Sequence, residues 1–312
     1  MLDAASKAFF HFLAQRRTLK TLASRYGMRR PRSFARRFIA GEHVSEAIEA
    51  ARAVERRGLT HTLDLLGESV TNLDEADAAT REYLEVINAI AAAGIGRGIS
   101  LKLTQLGLDV DKACAVDNLR KILERAEPAG FFVRVDMESS AYTDVTLEIF
   151  ETLWSHGHRH IGVVLQSALY RSEKDLARMN ALGAGVRLVK GAYNEPRTVA
   201  YPHKADVDAA YARLAETMLA GGHEPAFATH DPAMIERVRQ VAREQQVPPD
   251  RYEFQMLYGV RRDLQARLAA DGYRMRVYIP FGREWFPYFM RRLGERPANV
   301  MFVINSLLGE SG

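Results

Sequence analysis

Leu59-Thr-His-Thr-Leu-Asp-Leu-Leu66 reads as a β-strand, and the pattern it begins sets the architecture of the chain. Gly67 ends the run, a helical apolar period extends from about Asn72 to Ala93, and a second strand-like run comes next at Ile99-Ser-Leu-Lys-Leu-Thr104. After a helix over about 111–127, the alternation repeats. Strands are predicted at 131–136, 161–166, 186–190, 226–230, 252–256 and 275–279, with helices at about 143–156, 172–182, 204–220, 232–245, 260–270 and beyond 279. Strands apolar on both faces and joined by helices predict a parallel sheet. Eight such units predict an α/β fold of the (β/α)8 TIM-like type, distorted at its last helix. An open doubly wound sheet would carry a Gly-rich phosphate loop after its first strand. Gly94-Ile-Gly96-Arg-Gly98 has the wrong spacing and precedes a strand, so it reads as a helix stop and turn.

Upstream, residues 1–57 read as a helical segment with an apolar face begun by Phe9, Phe10, Phe12 and Leu13, a break at Pro31, and Ser45 capping a helix over 46–57. Residues 58–312 would form the barrel and a short C-terminal helix. Hydrophobic residues at 47% and charged ones at 26% suit a soluble globular protein with a substantial core. No apolar run approaches the ~20 residues that span a bilayer, and the N-terminus lacks a secretory pattern. The single Cys114 excludes an internal disulfide framework and suits a reducing compartment, so a cytoplasmic location is expected. The net charge of +4 is unevenly spread: Arg16, Arg17, Lys20, Arg25, Arg29, Arg30, Arg32, Arg36 and Arg37 occur with no acidic residue among them. Such a run suits peripheral contact with an anionic bilayer, or more simply a solvated helix face. Without zinc-ligand spacing or an aromatic RNA-binding signature, no nucleic-acid partner is expected.

Barrel chemistry sits at the C-terminal ends of the strands. There the chain places Glu68, Lys102, Asp136, Gln166, Arg187, Lys190, Thr229, His230 and Tyr278, a convergence that points to an enzyme. The only histidine cluster, His156-Gly-His158-Arg-His160, precedes a strand at the opposite end, so metal ligation is not expected. Cys114 falls on a helix away from the rim, and no Gly-x-Ser-x-Gly elbow is present. In Tyr288-Phe-Met-Arg291-Arg292-Leu-Gly-Glu295, the residues Tyr288, Arg291, Arg292 and Glu295 share one helix face. Two guanidiniums amid Phe281, Trp285, Phe286, Phe289 and Met290 read either as an anion clamp or as a surface helix with an Arg291–Glu295 ion pair. A rim of cations and tyrosines (Tyr193, Tyr278, Tyr288) suits an anionic substrate with a flat, anionic cofactor.

These stretches resemble the flavin-dependent proline dehydrogenases, in their monofunctional form, from about residue 60 to 300. The last helix matches the family's Tyr-x-x-Arg-Arg-x-x-Glu motif. Leu65-Leu-Gly-Glu68, Leu101-Lys-Leu103, Asp136-Met-Glu138, Arg187-Leu-Val-Lys-Gly-Ala-Tyr193, Ala228-Thr-His230 and Phe254-Gln-Met-Leu-Tyr-Gly259 occur in the family's order. The resemblance implies oxidation of L-proline to Δ1-pyrroline-5-carboxylate with non-covalent FAD. Electrons would pass to membrane quinone, and the product to a pyrroline-5-carboxylate dehydrogenase. It implies that Arg291, Arg292 and Lys102 hold the proline carboxylate, that Tyr278, Tyr288 and Leu257 surround the ring, and that Asp136 lies beneath the pocket. Arg187 would stand near flavin N5, with Met137, Gln166, Lys190, Gly191, Ala192, Thr229 and His230 along the cofactor. Glu295 would orient an arginine and Glu68 would gate the empty pocket. The stretch 279–287 is bulkier than in bifunctional relatives, and Pro287 either kinks the last helix or marks its first turn. Two rival readings are a methylenetetrahydrofolate reductase-like flavin barrel and a non-enzymatic protein that binds anionic surfaces through its Arg-rich segment.

Overall fold

A computed structural model of the chain describes residues 34–221 and 223–294. After a 3-10 turn at Phe34–Arg37 comes helix α1 (Val44–Glu55), and then eight strands: β1 (Thr60–Leu65), β2 (Gly98–Leu101), β3 (Phe132–Val135), β4 (Ile161–Gln166), β5 (Gly185–Val189), β6 (His223–Ala228), β7 (Glu253–Leu257) and β8 (Arg274–Phe281). The helices that come after them in turn are α2 (Leu73–Ala93), α3 (Lys112–Ala126), α4 (Thr143–Ser155), α5 (Ser172–Leu182), α6 (Lys204–Gly221), α7 (Pro232–Glu244), α8 (Arg262–Ala270) and α9 (Trp285–Gly294). The strands close in sequence order into one barrel, with β8 parallel to β1. This is the expected (β/α)8 fold.

Local chemistry sets the element ends. Asn72 caps α2 by accepting from the Glu75 N–H at 2.9 Å, and Gly94 ends that helix in the left-handed region at φ 66°. Helix α1 starts two residues before the expected 46, at Val44, and Ser45 is not its cap. Glu46 supplies the cap from within the first turn, accepting from the backbone N–H groups of Glu42 at 2.8 Å and His43 at 3.1 Å.

The strands are not apolar on both faces, contrary to expectation. Register partners in a parallel sheet share a face. One row runs Leu63, Ile99, Val133, Ile161, another Leu101, Val135, Val163, Val186, and both are buried against the helices. The intervening row runs Asp64, Ser100, Arg134, Gly162, Gly185. It points inward, since Arg187 of β5 reaches Ser100 of β2 and Gln255 of β7 across the lumen. The apolar core is therefore a shell between strands and helices, and the barrel interior is polar. Gly162 belongs to that interior: a Cβ there would lie 2.5 Å from the Arg134 guanidinium, which donates to Gly185 O at 2.7 Å.

A second apolar cluster lies apart from this shell. It joins Ala35, Phe38 and Ile39 to Leu66 and to Trp285, Phe286, Tyr288, Phe289 and Met290 of α9. Burial of each large side chain contributes roughly 1.5–3 kcal/mol, so α9 is held by residues upstream of the barrel. Phe281, expected on the helix, ends β8 instead, and Pro287 stands in the first turn of α9. The segment is tied down by Ala40 N–H to Pro280 O and Gly282 N–H to Gly41 O, both 2.9 Å, and by Trp285 Nε1 to Glu42 Oε1 at 2.9 Å. Arg36 pairs with Glu46 at 2.8 Å, so this arginine of the basic run is part of the fold. The helices expected over 3–33, Arg16 to Arg32, Glu295 and the C-terminal helix lie outside the described residues. Among the described residues no helix is long and apolar enough to cross a membrane.

Gly259 fixes how closely the segment approaches. Its φ is 75°, and a Cβ there would stand 1.7 Å from the Arg37 carbonyl oxygen. Gly259→Ala is expected to lower the unfolding free energy by at least about 1 kcal/mol through left-handed strain alone, with more from the displaced carbonyl. A thermal melt superimposable on that of the parent would show that this close approach does not exist.

Candidate active site

The C-terminal mouth of the barrel is organised around Asp136, the residue after β3. Its Oδ1 accepts from Arg187 Nη1 at 2.7 Å, and its Oδ2 accepts from the Tyr278 hydroxyl at 2.6 Å. Lys102 Nζ lies 3.9 Å from the same Oδ2 and 3.5 Å from Asp64 Oδ1. Arg187 also donates from Nε to Gln255 Oε1 at 2.5 Å and from Nη2 to Ser100 Oγ at 3.2 Å. Its guanidinium carbon lies 5.3 Å from the Tyr278 ring centroid. Six strands thus converge on two cations and two carboxylates, all largely buried, a balance that keeps the charges in place.

Burial works against the Lys102 ammonium, but the Asp64 and Asp136 carboxylates outweigh it and raise its pKa. Lys102 is therefore a fixed cation. Burial, with the Asp136 carboxylate beside it, pushes the Tyr278 phenol well above its usual range, so it remains a donor. The cluster is charge-balanced, with the Lys102 ammonium held beneath the mouth and each Asp136 oxygen already accepting one hydrogen bond. It suits an anion bound above Lys102 better than a free carboxylate acting as a base.

Arg291 of α9 donates from Nη1 to Glu68 Oε1 at 2.6 Å, joining the last helix to the loop after β1. Burial opposes this cation too, and Glu68 raises its pKa over that cost. Arg292 lies with its guanidinium carbon 5.3 Å from the Tyr288 ring centroid. The alternative Arg291–Glu295 pair involves a residue outside the described range.

The remaining residues gather on the β4–β6 side. Gln166 donates from Nε2 to Glu138 O at 2.8 Å. Gly191, at φ 113°, is packed so that a Cβ would lie 3.0 Å from Gln166 Oε1. Met137 is buried, Leu257 half-buried, and Ala192 and Tyr193 exposed. Lys190 Nζ is shared between Asp208 Oδ1 at 2.5 Å and Asp231 Oδ2 at 2.8 Å. The Thr229 hydroxyl oxygen accepts from Asp231 N–H at 3.1 Å. His230 Nε2 accepts from Leu257 N–H at 2.9 Å, which puts the neutral ring's proton on Nδ1.

The geometry joins Lys102, Asp136, Arg187 and Tyr278 in one network and Glu68 with Arg291 in a second. Lys190, Thr229 and His230 are held through Asp231 and β7. His158, of the histidine cluster, pairs with Glu127 at 2.9 Å ahead of β4. Asp64, Ser100, Glu138 and Gln255 belong to the site and were not anticipated. Their signal was alternation: Asp64, Ser100 and Gln255 each sit an even number of residues from a polar inward neighbour, in strands whose other face is mainly apolar.

Residues 47–305 match the family described as Proline dehydrogenase. The chain is 45% identical over 280 residues to Proline dehydrogenase of Deinococcus radiodurans, covering 88% of this chain and 90% of that protein. It is 41% identical over 299 residues to Proline dehydrogenase 1 of Bacillus subtilis (strain 168), covering 96% and 98%. Among solved structures it resembles proline utilization A (PutA) from Bdellovibrio bacteriovorus inactivated by N-propargylglycine, with a TM-score of 0.77 and 28% identity. That likeness covers 83% of this chain and 32% of the other, so this chain corresponds to about a third of that longer protein.

Glu138 offers a pH test of the site's burial. Burial pushes its carboxyl up, against hydrogen bonds from the Thr104 hydroxyl at 2.7 Å and N–H at 3.2 Å. With the folded pKa above the unfolded one, the native state holds the proton longer, so stability falls as pH rises above the ordinary glutamate value of about 4.3. Urea unfolding from about pH 4 to about pH 8 should show a shallower decline in Glu138→Gln than in the parent. Equal slopes would mean that burial does not raise the Glu138 carboxyl over its hydrogen bonds from Thr104 in the native protein.

Proposed function

The chain belongs to the proline dehydrogenase family, whose reaction is the oxidation of proline in its catabolism, and from that premise we propose that the barrel mouth holds L-proline by its carboxylate against a flavin. The observation that carries this is the Arg291–Glu68 pair, in which α9 already grips a carboxylate at 2.6 Å. Proline would replace one carboxylate with another: Glu68 releases Arg291, and Arg291 with Arg292 takes the substrate anion in a planar fork. Lys102, with its charge fixed by Asp64 and Asp136, supports the same anion from below. Glu68 then acts as a gate. Glu295 in this reading orients an arginine.

Tyr278, Tyr288 and Leu257 shape the space for the pyrrolidine ring. Asp136, which accepts from Arg187 and Tyr278, positions those two side chains. The ring nitrogen must be unprotonated before oxidation, and the cations around it favour that form. Fixing the carboxylate at two points sets the ring's orientation, so binding energy lowers the entropic part of the barrier.

The donor set on the β4–β6 side fits a flat, anionic cofactor. The Gln166 amide, the Arg187 guanidinium, Lys190, Thr229 and His230 line adjacent strands, with Met137 as an apolar neighbour and the Gly191-Ala192 backbone beside them. These residues would hold FAD. A bound flavin supplies the hydride acceptor for the ring carbon next to nitrogen, and Arg187 supplies positive charge to that side of the site. The product is Δ1-pyrroline-5-carboxylate. In this proposal the electrons go to membrane quinone, the product to a pyrroline-5-carboxylate dehydrogenase, and the protein works in the cytoplasm with peripheral contact at an anionic membrane.

Purified protein should be yellow, and L-proline under anaerobic conditions should bleach its flavin absorbance. Arg292→Lys should retain flavin and raise the KM for proline by about 10–100-fold, since a point charge cannot replace the fork. Colourless protein that takes up no FAD would sink the proposal, and an unchanged KM in the variant would remove the clamp from it.

A further inference from the structure

Below the mouth, the polar lumen continues in a chain of hydrogen bonds that the proposed reaction does not use. Arg187 Nε donates to Gln255 Oε1 at 2.5 Å. Gln255 Nε2 in turn donates to Glu253 Oε1, two residues earlier on the inward face of β7. Glu253 is anchored from β8: its Oε1 accepts from Arg276 Nε at 2.8 Å, and its Oε2 from Arg276 Nη2 at 3.1 Å and Arg274 Nη2 at 3.5 Å. Arg276 Nη1 donates to His61 O at 2.8 Å. Gln255, Glu253 and Arg187 are each more than nine-tenths buried.

An amide beside a guanidinium has two orientations, and only one places its oxygen toward the donor. Glu253 removes the choice. Burial acts to raise its carboxyl, but Arg276 outweighs that and lowers it, so it is ionised and can only accept. The Gln255 NH2 must therefore face Glu253, and Oε1 must face Arg187. The guanidinium is then fixed on all three of its edges: Nε by Gln255, Nη2 by Ser100 and Nη1 by Asp136. Asp136 holds the Tyr278 hydroxyl with its other oxygen, so an error in the tilt of Arg187 passes directly to Tyr278.

We propose that Gln255, oriented by Glu253, is a positioning residue for Arg187 and through it for Asp136 and Tyr278. It touches neither substrate nor cofactor. It acts by aiming a cation whose charge is useful to the reaction only along one direction. If the lumen served stability alone, apolar residues of the same volume would serve as well or better. The proposal rests on the reading of the mouth as a flavin–proline site.

Two substitutions separate aiming from packing. Gln255→Met keeps the volume and removes the acceptor. It should lower kcat by about 10–100-fold, change the KM for proline less than kcat because the carboxylate clamp on α9 is untouched, and lower the flavin midpoint potential as Arg187 turns away. Gln255→Asn keeps the amide but withdraws it by one methylene, so that it can no longer reach Arg187 Nε while still facing the Glu253 side of the lumen. It should lower kcat and the flavin midpoint potential in the same direction as Gln255→Met.

If Gln255→Met does not fold, Gln255→Asn decides alone. A folded Gln255→Asn with kcat and potential equal to the parent's would overturn the proposal. So would a folded Gln255→Met with a lowered Tm and unchanged kcat and potential. Failure of the parent itself to oxidise proline would instead overturn the underlying functional reading.

Discussion

The interaction on which the site depends is the double acceptance by Asp136, from Arg187 on one oxygen and Tyr278 on the other. A buried carboxylate without partners would cost several kcal/mol or take up a proton. Here its partners come from β5 and β8, which lie two strands one way and three strands the other way round the barrel from the strand that leads into it. The barrel must be closed and in register before the contacts can form. Lys102 depends on it in turn, since a buried ammonium is tolerable only beside carboxylates. The charge at the mouth is thus a property of the closed sheet more than of any loop.

A polar lumen has consequences for how the fold is held. Most of the apolar burial lies between strands and helices, in rows such as Leu63, Ile99, Val133 and Ile161. The interior is held by directional contacts among Asp64, Ser100, Lys102, Arg134, Arg187, Glu253, Gln255 and Arg276. Apolar packing tolerates small shifts in shape, whereas hydrogen bonds to charged groups lose strength quickly with angle. The outer shell supplies stability, and the lumen supplies geometry.

Much of this was legible in the sequence, because a strand and a helix have different periods and turn residues punctuate them. Eight alternations left one closed architecture, and the α2, α5 and β4 boundaries lie within a residue of expectation. The rim residues Lys102, Asp136 and Tyr278 were legible as polar groups at or near strand ends. Two things were not. The inward polarity of the strands was hidden because aliphatic rows, such as the one through Ile99 and Val133, dominate a short window, so the strands read as apolar on both faces. The approach of residues 35–43 to α9 had no local signal either, since it joins positions 243 residues apart in the case of Glu42 and Trp285. Contacts of that span are fixed by tertiary packing, and the positive-φ glycines Gly259 and Gly282 mark the place.

That span has a consequence for the order in which the molecule is completed. The cluster of Phe38, Ile39, Trp285, Phe286 and Phe289 is separate from the barrel's own core and unites the two ends of the described chain. Closing so long a loop is entropically slow, and it comes late in folding. During synthesis the barrel strands emerge before α9 does, so the arginines over the mouth arrive last. In the finished protein the ties of this cluster to the barrel, at Leu66, Pro280 and Gly259, lie at the rim, and none of those ties runs through the lumen network.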